Sequence, residues 1–260
     1  HVKPEEIYES LELQLTDHVP LSPQEAVFDY QIVTCGTHEN KEAYEIGLSV
    51  MPQKIVESYL KIFEGTGLTP LSFEFEAHSI ARAIAKRGVC GTFFLLDIGA
   101  TRTGIAVQSE GVITFTSTIN VGGNSFTEAV ARSLNISFED AQRRKEAEGL
   151  LGGKEDALYQ ALIARLSVLR DEINKHYEYI RSHENIVGEN GDVIDRIIIC
   201  GGEANVPGLP HYLAVTLNMD VEIANPWINI NPLTHYVPEI PSNHALRYAT
   251  ALGLAIPGAL

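Results

Sequence analysis

Three apolar segments follow one another between residues 92 and 121, and only short polar turns separate them. Their sequences are "TFFLLDIG", "RTGIAVQ" and "VITFTSTINV". Because turns this short join antiparallel neighbours, the pattern predicts a three-stranded antiparallel meander. The first strand runs through "FFLL" directly into Asp97. A buried strand that ends in a carboxylate indicates a functional edge of the sheet.

The rest of the chain predicts alternating helices and strands, and hence a mixed α/β fold. The predicted helices cover residues 4–17, 52–67, 77–88, 122–135, 137–147, about 155–184, 206–218 and 244–256. The other predicted strands are 26–33, 43–50, 68–76, 193–202 and 220–224. Apolar residues recur every three or four positions in the long helix, and we interpret that stripe as core packing.

Composition excludes several classes of partner. The net charge of −15 argues against duplex nucleic acid, whose binding needs clustered Lys and Arg. No run approaches the roughly 18 apolar residues of a membrane span. The three cysteines are far apart in the sequence and form neither a metal motif nor a disulfide framework, which favours a reducing compartment. These cysteines are Cys35, Cys90 and Cys200.

The first chemical motif is the turn after the meander's first strand. Asp97 can hold a hydrated divalent cation, and Gly99 lets the turn approach a phosphate closely. Thr101 and Thr103 add hydroxyl donors, and Gly104 follows them. Taken alone, this motif is equally compatible with an aspartate in an ordinary hairpin turn.

The second motif is "IIICGGEANVPGL" at residues 197–209, where a predicted strand ends in Gly201 and Gly202. Two glycines let a flat ring or a ribose lie against bare backbone, and the next helix presents its N-terminus there. Alone, this motif is compatible with a plain tight turn. The two motifs occur in this order in one chain, and the pair is a far more specific signal of a binding site than either motif alone.

In these motifs the chain resembles the actin-like ATPase superfamily, and within it the branch of the type IV pilus assembly protein PilM and the division protein FtsA. "LLDIGATRTGIAV" resembles the second phosphate loop of that fold, and "IIICGGEANVPGL" resembles its adenosine motif. "LTDHVPLSPQEAVFDYQIV" is similar to the subdomain that PilM and FtsA insert in their first domain. "INVGGNSFTEAVARSLNISFEDAQRRK" and "VEIANPW" are also similar to that branch.

The resemblance implies a duplicated, ribonuclease H-like fold with two domains. Residues 1–88 would be the remainder of the first domain, with an inserted α+β subdomain at about 10–70. Residues 89–260 would be the complete second domain, with a helical insertion at about 136–190. The first phosphate loop would precede residue 1, which is His rather than Met, so we expect the chain to start inside a longer gene product and to bind ATP weakly on its own.

The resemblance also implies roles for individual residues with ATP and Mg²⁺ as cofactors. Asp97 would act on Mg²⁺ through water, and Glu76 would orient the attacking water, unless it is an ordinary surface acid at a helix start. The phosphate loop would comprise Gly99, Thr101, Thr103 and Gly104. The residues near the rest of the nucleotide would be Gly122, Gly123, Gly201, Gly202 and Glu203. Lys145 would reach the sugar or base, although a solvated helix face is equally compatible with it, and Gln142 stands where relatives often carry Glu.

The implied function is an ATP-binding scaffold of type IV pilus assembly, cytoplasmic and recruited to the inner face of the membrane. It would bind the cytoplasmic tail of a membrane-anchored pilus protein in a groove bordered by residues 10–70, unless that subdomain serves only self-association. Any hydrolysis would be slow. An FtsA-like division protein is less favoured, because no Lys or Arg follows Arg247 to form a basic membrane helix. A binding module with a vestigial nucleotide site and an enzyme such as a sugar kinase or a polyphosphate phosphatase also remain open.

Overall fold

The computed structural model describes residues 6–33, 46–89, 91–183, 194, 196–230 and 238–256. The chain forms two compact units, His1–Phe75 and Glu76–Leu260. Several predictions lie partly or wholly outside the described residues: Cys35, Cys90, the loop 34–42, the first two residues of the first helix, residues 43–45 of the second strand, and residues 184, 193 and 195. The predicted domain boundary between residues 88 and 89 stays a prediction.

The first unit contains two helices and a two-stranded sheet. Helix α1 covers Ile7–His18, strand β1 Ala26–Ile32, strand β2 Ile46–Pro52 and helix α2 Gln53–Phe63. Strands β1 and β2 pair in antiparallel fashion. The rings of Tyr8 and Phe28 stack with their centroids 4.6 Å apart and thereby join α1 to β1. The predicted order of helix, two strands and helix is confirmed for the described residues.

The predicted strand at residues 68–76 is wrong. Residues 68–75 adopt neither helix nor strand, and Glu76 already belongs to the next helix. Alternating apolar residues form a strand only where a neighbouring strand accepts their backbone hydrogen bonds. No described strand pairs with this segment, and its Leu71 side chain is 98% exposed.

The second unit is built on a five-stranded mixed sheet. Its strands are β3 Thr92–Ile98, β4 Thr103–Ser109, β5 Val112–Ile119, β6 Arg196–Cys200 and β7 Val221–Ile223. They lie in the order β5-β4-β3-β6-β7. Strands β3, β4 and β5 are antiparallel, as predicted for the meander, whereas β6 runs parallel to β3, and β7 runs parallel to β6. Because β3 is central, it is apolar and buried along most of its length.

Helices cover this sheet. They are α3 Glu76–Ile84, α4 Gly123–Leu134, α5 Phe138–Glu148, α6 Ala157–Arg181, α7 Leu209–Leu217, α8 Ser242–Ala245 and α9 Ala249–Ala255. The side chain of Ser137 caps α5 by accepting a hydrogen bond from the N–H of Asp140. The apolar stripe of α6 is buried, which confirms its place in the core; its buried leucines are Leu158, Leu162, Leu166 and Leu169.

Several helix boundaries differ from the prediction. Helix α2 ends at Phe63 rather than at Gly67, and helix α3 ends at Ile84 rather than at Gly88. The predicted helix 244–256 is divided into α8 and α9 by a 3₁₀ turn at Leu246–Tyr248. Helices α3 and α9 pack so closely that a Cβ atom at Gly253 would overlap the carbonyl of Ser79. None of the helices in the described part of the chain is long and apolar enough to cross a membrane.

Candidate functional site

The candidate site begins with Asp97, the second-to-last residue of β3. In the sheet register Asp97 lies between Gly104 of β4 and Cys200 of β6, so it sits at the edge where the parallel strands end. The pKa of Asp97 is raised from 3.8 to about 6, mainly by burial and then by the nearby charge of Glu76, against the opposing charge of Arg102. The carboxylate of Asp97 is therefore poorly solvated, and the charge of Arg102 compensates it only in part.

Glu76 is the first residue of α3 and lies close enough to Asp97 to affect its titration. Its Oε2 atom is 3.5 Å from a guanidinium nitrogen of Arg102, and both side chains are more than half exposed. Its Oε1 atom accepts a hydrogen bond of 3.3 Å from the hydroxyl of Thr250. The structure therefore brings the two predicted catalytic carboxylates, Glu76 and Asp97, to one edge of the sheet. Among the described residues, no cluster of three His, Cys, Asp or Glu side chains could bind a metal ion by itself.

The predicted phosphate loop is a tight turn that packs onto the start of α4. The Gly99 N–H donates to the Arg102 carbonyl at 3.0 Å, and the Gly99 carbonyl accepts from the Gly123 N–H at 2.9 Å. The Asn124 N–H donates to the Ala100 carbonyl at 2.7 Å. A Cβ atom at Gly122 would lie 2.6 Å from the Arg102 nitrogen, which no real side chain could do. Gly122 is therefore required for the contact between the loop and α4.

The tip of this loop keeps donors that the described protein atoms do not use. The N–H groups of Ala100 and Thr101 donate to no acceptor among the described residues, and both residues are exposed. Thr103 differs, because it is fully buried and its hydroxyl donates to the Val121 carbonyl at 2.8 Å. The hydroxyl proton of Thr103 is thus engaged within the fold, and only Thr101 presents its hydroxyl at the surface.

The second motif lies directly beside the first. Gly201 follows β6 with φ of +86°, a conformation that favours glycine, and its N–H donates to the Leu246 carbonyl at 3.2 Å. A Cβ atom here would lie 2.5 Å from Asp97 Oδ1 and would overlap the Ile98 carbonyl. Gly202 begins a 3₁₀ turn, and a Cβ atom on it would meet no described atom within 4 Å. Gly201 therefore lets the two motifs touch, and Gly202 borders open space.

A buried ion pair occupies the other end of the site. The Lys145 side chain of α5 is 0% exposed, and its Nζ atom lies 2.7 Å from Oε2 of Glu203. The same Nζ atom donates to the Gly123 carbonyl at 3.2 Å. The Glu203 carboxylate rests against the start of α4, where a Cβ atom at Gly123 would overlap it. The alternative of a solvated helix face for Lys145 is therefore wrong.

Thr127 is a site residue that the sequence reasoning missed. It is fully buried on α4, and its hydroxyl lies 2.5 Å from Oε1 of Gln142 and 3.0 Å from the Gly123 carbonyl. The Nε2 atom of Gln142 in turn donates to Glu146 at 2.7 Å. Only one signal was available in the sequence, which is that Thr127 lies four residues after Gly123 and hence on the same helix face.

The comparisons with known proteins agree on one fold. The sequence model of the family described as "Type IV pilus assembly protein PilM" matches residues 1–259. A solved "PilM-PilN type IV pilus biogenesis complex" superposes with a TM-score of 0.71 and 24% sequence identity, covering 97% of this chain and 72% of that chain. MreB5 of Spiroplasma citri, solved bound to ADP, superposes with a TM-score of 0.57 and 17% identity, covering 78% of this chain and 64% of that one. The predicted mixed α/β fold of the actin-like ATPases is confirmed.

The curated sequence relatives match a smaller share of the chain. The cell division protein FtsA of Agrobacterium fabrum is 29% identical over 151 residues, which cover 50% of this chain and 34% of that protein. FtsA of Rhizobium meliloti is 28% identical over 181 residues, which cover 62% of this chain and 39% of that protein. The chain thus spans well under half the length of these relatives.

Proposed function

Because this chain belongs to the family of the type IV pilus assembly protein PilM, we propose that it is an ATP-binding, actin-like scaffold of type IV pilus assembly. It works in the cytoplasm and is recruited to the inner face of the membrane by the cytoplasmic tail of a membrane-anchored pilus assembly protein. The family match over residues 1–259 carries this proposal. The similar fold of a PilM solved in complex with PilN supports the choice of partner.

The phosphate end of the site fits Mg²⁺-ATP. The open N–H groups of Ala100 and Thr101 and the hydroxyl of Thr101 suit phosphate oxygens. Asp97 suits a hydrated Mg²⁺ ion, because a poorly solvated carboxylate beside a second acid is stabilised by a nearby cation. Bound Mg²⁺ would neutralise the phosphates, and Glu76 would orient water at this edge. Any turnover is slow.

The inserted subdomain at residues 10–70 borders the groove for the partner's tail. Among the described residues, strands β1 and β2 form a two-stranded sheet, and an extended peptide can add to the edge of such a sheet through main-chain hydrogen bonds. Acidic side chains outnumber basic ones in residues 1–75. The subdomain therefore favours a peptide that is flanked by basic residues.

Titration of the partner's cytoplasmic tail onto the isotope-labelled full-length protein tests this placement. We expect the backbone amide shifts to concentrate within residues 10–90, and a peptide of the same composition in scrambled order to cause none. Shifts confined to other residues, or no shifts at saturating peptide, would refute the placement. Competition with a fluorescent ATP analogue in the presence of Mg²⁺ tests the nucleotide site separately.

A binding module with a vestigial nucleotide site is the second candidate. The ion pair between Lys145 and Glu203 favours it, because the protein's own side chains occupy the end of the site where the nucleoside would lie. If the full-length protein binds the tail but shows no binding of ATP at millimolar concentration, this candidate replaces the first.

A further inference from the structure

We propose that Glu203 is an internal anion that locks the nucleoside end of the site, and that a nucleotide must displace it from Lys145 in order to bind. The lock is an autoinhibitory contact, and it rests on the proposed nucleotide site. The juxtaposition that supports it joins three separate elements: α5, the start of α4 and the turn after β6.

The contact is built into the interior of the second unit. Lys145 is 0% exposed and the Glu203 side chain is 10% exposed, so neither charge is solvated as it would be at the surface. A buried charge persists only when it is paired, and here each charge is the other's ion-pair partner at 2.7 Å. A ligand that needs the Lys145 ammonium group must therefore supply an oxygen that replaces Glu203.

Glu203 also lies where an anionic or polar ligand would be attracted. Its carboxylate rests on Gly123, the first residue of the 12-residue helix α4, and a helix N-terminus carries partial positive charge. The N–H groups of Gly123 and Asn124 are already bonded to the carbonyls of the phosphate loop. The lock and the phosphate loop thus meet at the same helix end, so movement of one changes the surroundings of the other.

The turn that carries Glu203 has free space beside Gly202 among the described residues. Glu203 belongs to the short 3₁₀ turn Gly202–Asn205, and a Cβ atom on Gly202 would meet no described atom within 4 Å. The backbone before it is held, because Gly201 is fixed against Asp97 and the Ile98 carbonyl. Gln142, the neighbouring polar side chain on α5, is held by Thr127 and by Glu146. Rotation of the Glu203 side chain is therefore the movement that frees Lys145 with the least disturbance.

The energy needed to break the ion pair is subtracted from the energy of nucleotide binding. Glu203→Gln removes the charge, keeps the shape and leaves Lys145 in need of an anionic or polar partner. The variant is therefore expected to be less stable without nucleotide and to bind nucleotide more tightly. A purely structural ion pair would lower the stability and leave the affinity unchanged or reduced.

The test compares the full-length wild-type protein, Glu203→Gln and the control Glu148→Gln. Glu148 lies on the same helix as Lys145, but it pairs with Arg144 at the surface. Calorimetric titration with Mg²⁺-ATP should give a dissociation constant about tenfold lower for Glu203→Gln, a factor that corresponds to a modest change in binding free energy. The melting temperature without nucleotide should fall for that variant alone. Glu148→Gln should match the wild type in both measurements.

Each other outcome decides between the two proposals. If the wild type binds Mg²⁺-ATP and Glu203→Gln binds it equally or more weakly, the lock is overturned and the proposed function stands. Binding by neither protein overturns the lock and the nucleotide site together. Binding by the variant alone supports the lock strongly. If Glu203→Gln does not fold, Glu203→Asp replaces it: the shorter carboxylate lengthens the ion pair, and the lock predicts tighter binding than in the wild type, whereas unchanged binding overturns it.

Discussion

The two ends of the candidate site are built in opposite ways. At the phosphate end, the loop after β3 is exposed, two of its N–H groups have no acceptor among the described residues, and burial and a neighbouring acid raise the pKa of Asp97. At the nucleoside end, Lys145 and Glu203 are buried, and each charge is paired with the other. At the phosphate end, a phosphate group and a cation could provide partners for the unused N–H donors and for the poorly solvated carboxylate. At the nucleoside end, two side chains of the protein are each other's partners.

In the proposed nucleotide site, this difference would favour a ligand at one end and oppose it at the other. Unused donors and an underneutralised carboxylate favour an incoming Mg²⁺-phosphate group, because binding removes an existing cost. A buried ion pair opposes an incoming sugar or base, because binding must first break it. Substitutions at the two ends should therefore change the free energy of unfolding by different amounts and in opposite directions.

The largest expected effect is at Lys145. Lys145→Met leaves the Glu203 carboxylate buried without its cation, so we expect the free energy of unfolding to fall by about 3–5 kcal/mol. Denaturant unfolding followed by circular dichroism measures this change. The double variant Lys145→Met/Glu203→Gln should recover much of the loss, since the unpaired charge is then gone.

Arg144→Met is the matched control for Lys145→Met. Arg144 is the adjacent residue on α5, and its ion pair with Glu148 is solvated. Such a pair contributes little to stability, so this variant should unfold at the same denaturant concentration as the wild type. If Lys145→Met behaves like Arg144→Met, the nucleoside end is not the closed arrangement described above.

The effect at Asp97 should have the opposite sign. Its folded pKa of about 6 lies above the ordinary value of 3.8, so the folded protein binds this proton more tightly than the unfolded chain does. The stability from that proton is complete below pH 3.8 and is lost as the pH rises through about 6. Asp97→Asn should therefore stabilise the protein by about 1–3 kcal/mol at pH 8 and make little difference at pH 4.

The same variant should weaken Mg²⁺-ATP binding, because an amide oxygen is a poorer ligand for Mg²⁺ than a carboxylate. Unfolding curves at several pH values, together with calorimetric titration at pH 8, measure both effects. A fall in stability at pH 8 would show that Asp97 has a structural role instead.

Local patterns in the sequence predicted most of the second unit. The meander, helix α5 and the glycines at the end of β6 depend on periodicity and turn chemistry within a few residues. The missing strand at residues 68–75 shows the limit, since a strand also needs a neighbour that the local pattern cannot reveal. The division of the last helix around Leu246–Tyr248 likewise has no clear local signal.

The candidate site was predictable as a set of residues but not as a set of contacts. Asp97, Gly99 and Gly201 could be named from motifs because turns need glycine and a cation needs a carboxylate. The pairing of Lys145 with Glu203 could not be predicted from motifs, because these residues are far apart in the sequence. They meet only when α5 packs beside the turn after β6. The burial of the Thr103 hydroxyl also depends on a contact with a distant carbonyl.

The smallest expected effects distinguish the two threonines of the phosphate loop. Thr103→Val removes the buried hydroxyl that donates to the Val121 carbonyl, and we expect it to cost about 1–2 kcal/mol of unfolding free energy. Thr103→Ser keeps the donor and serves as the control. Thr101→Val changes an exposed side chain at the loop tip, so we expect its stability to match that of the wild type while its affinity for Mg²⁺-ATP falls. Thermal unfolding and calorimetric titration on all three variants measure this contrast, and equal effects of the two valine substitutions would contradict the division of roles between these neighbouring hydroxyls.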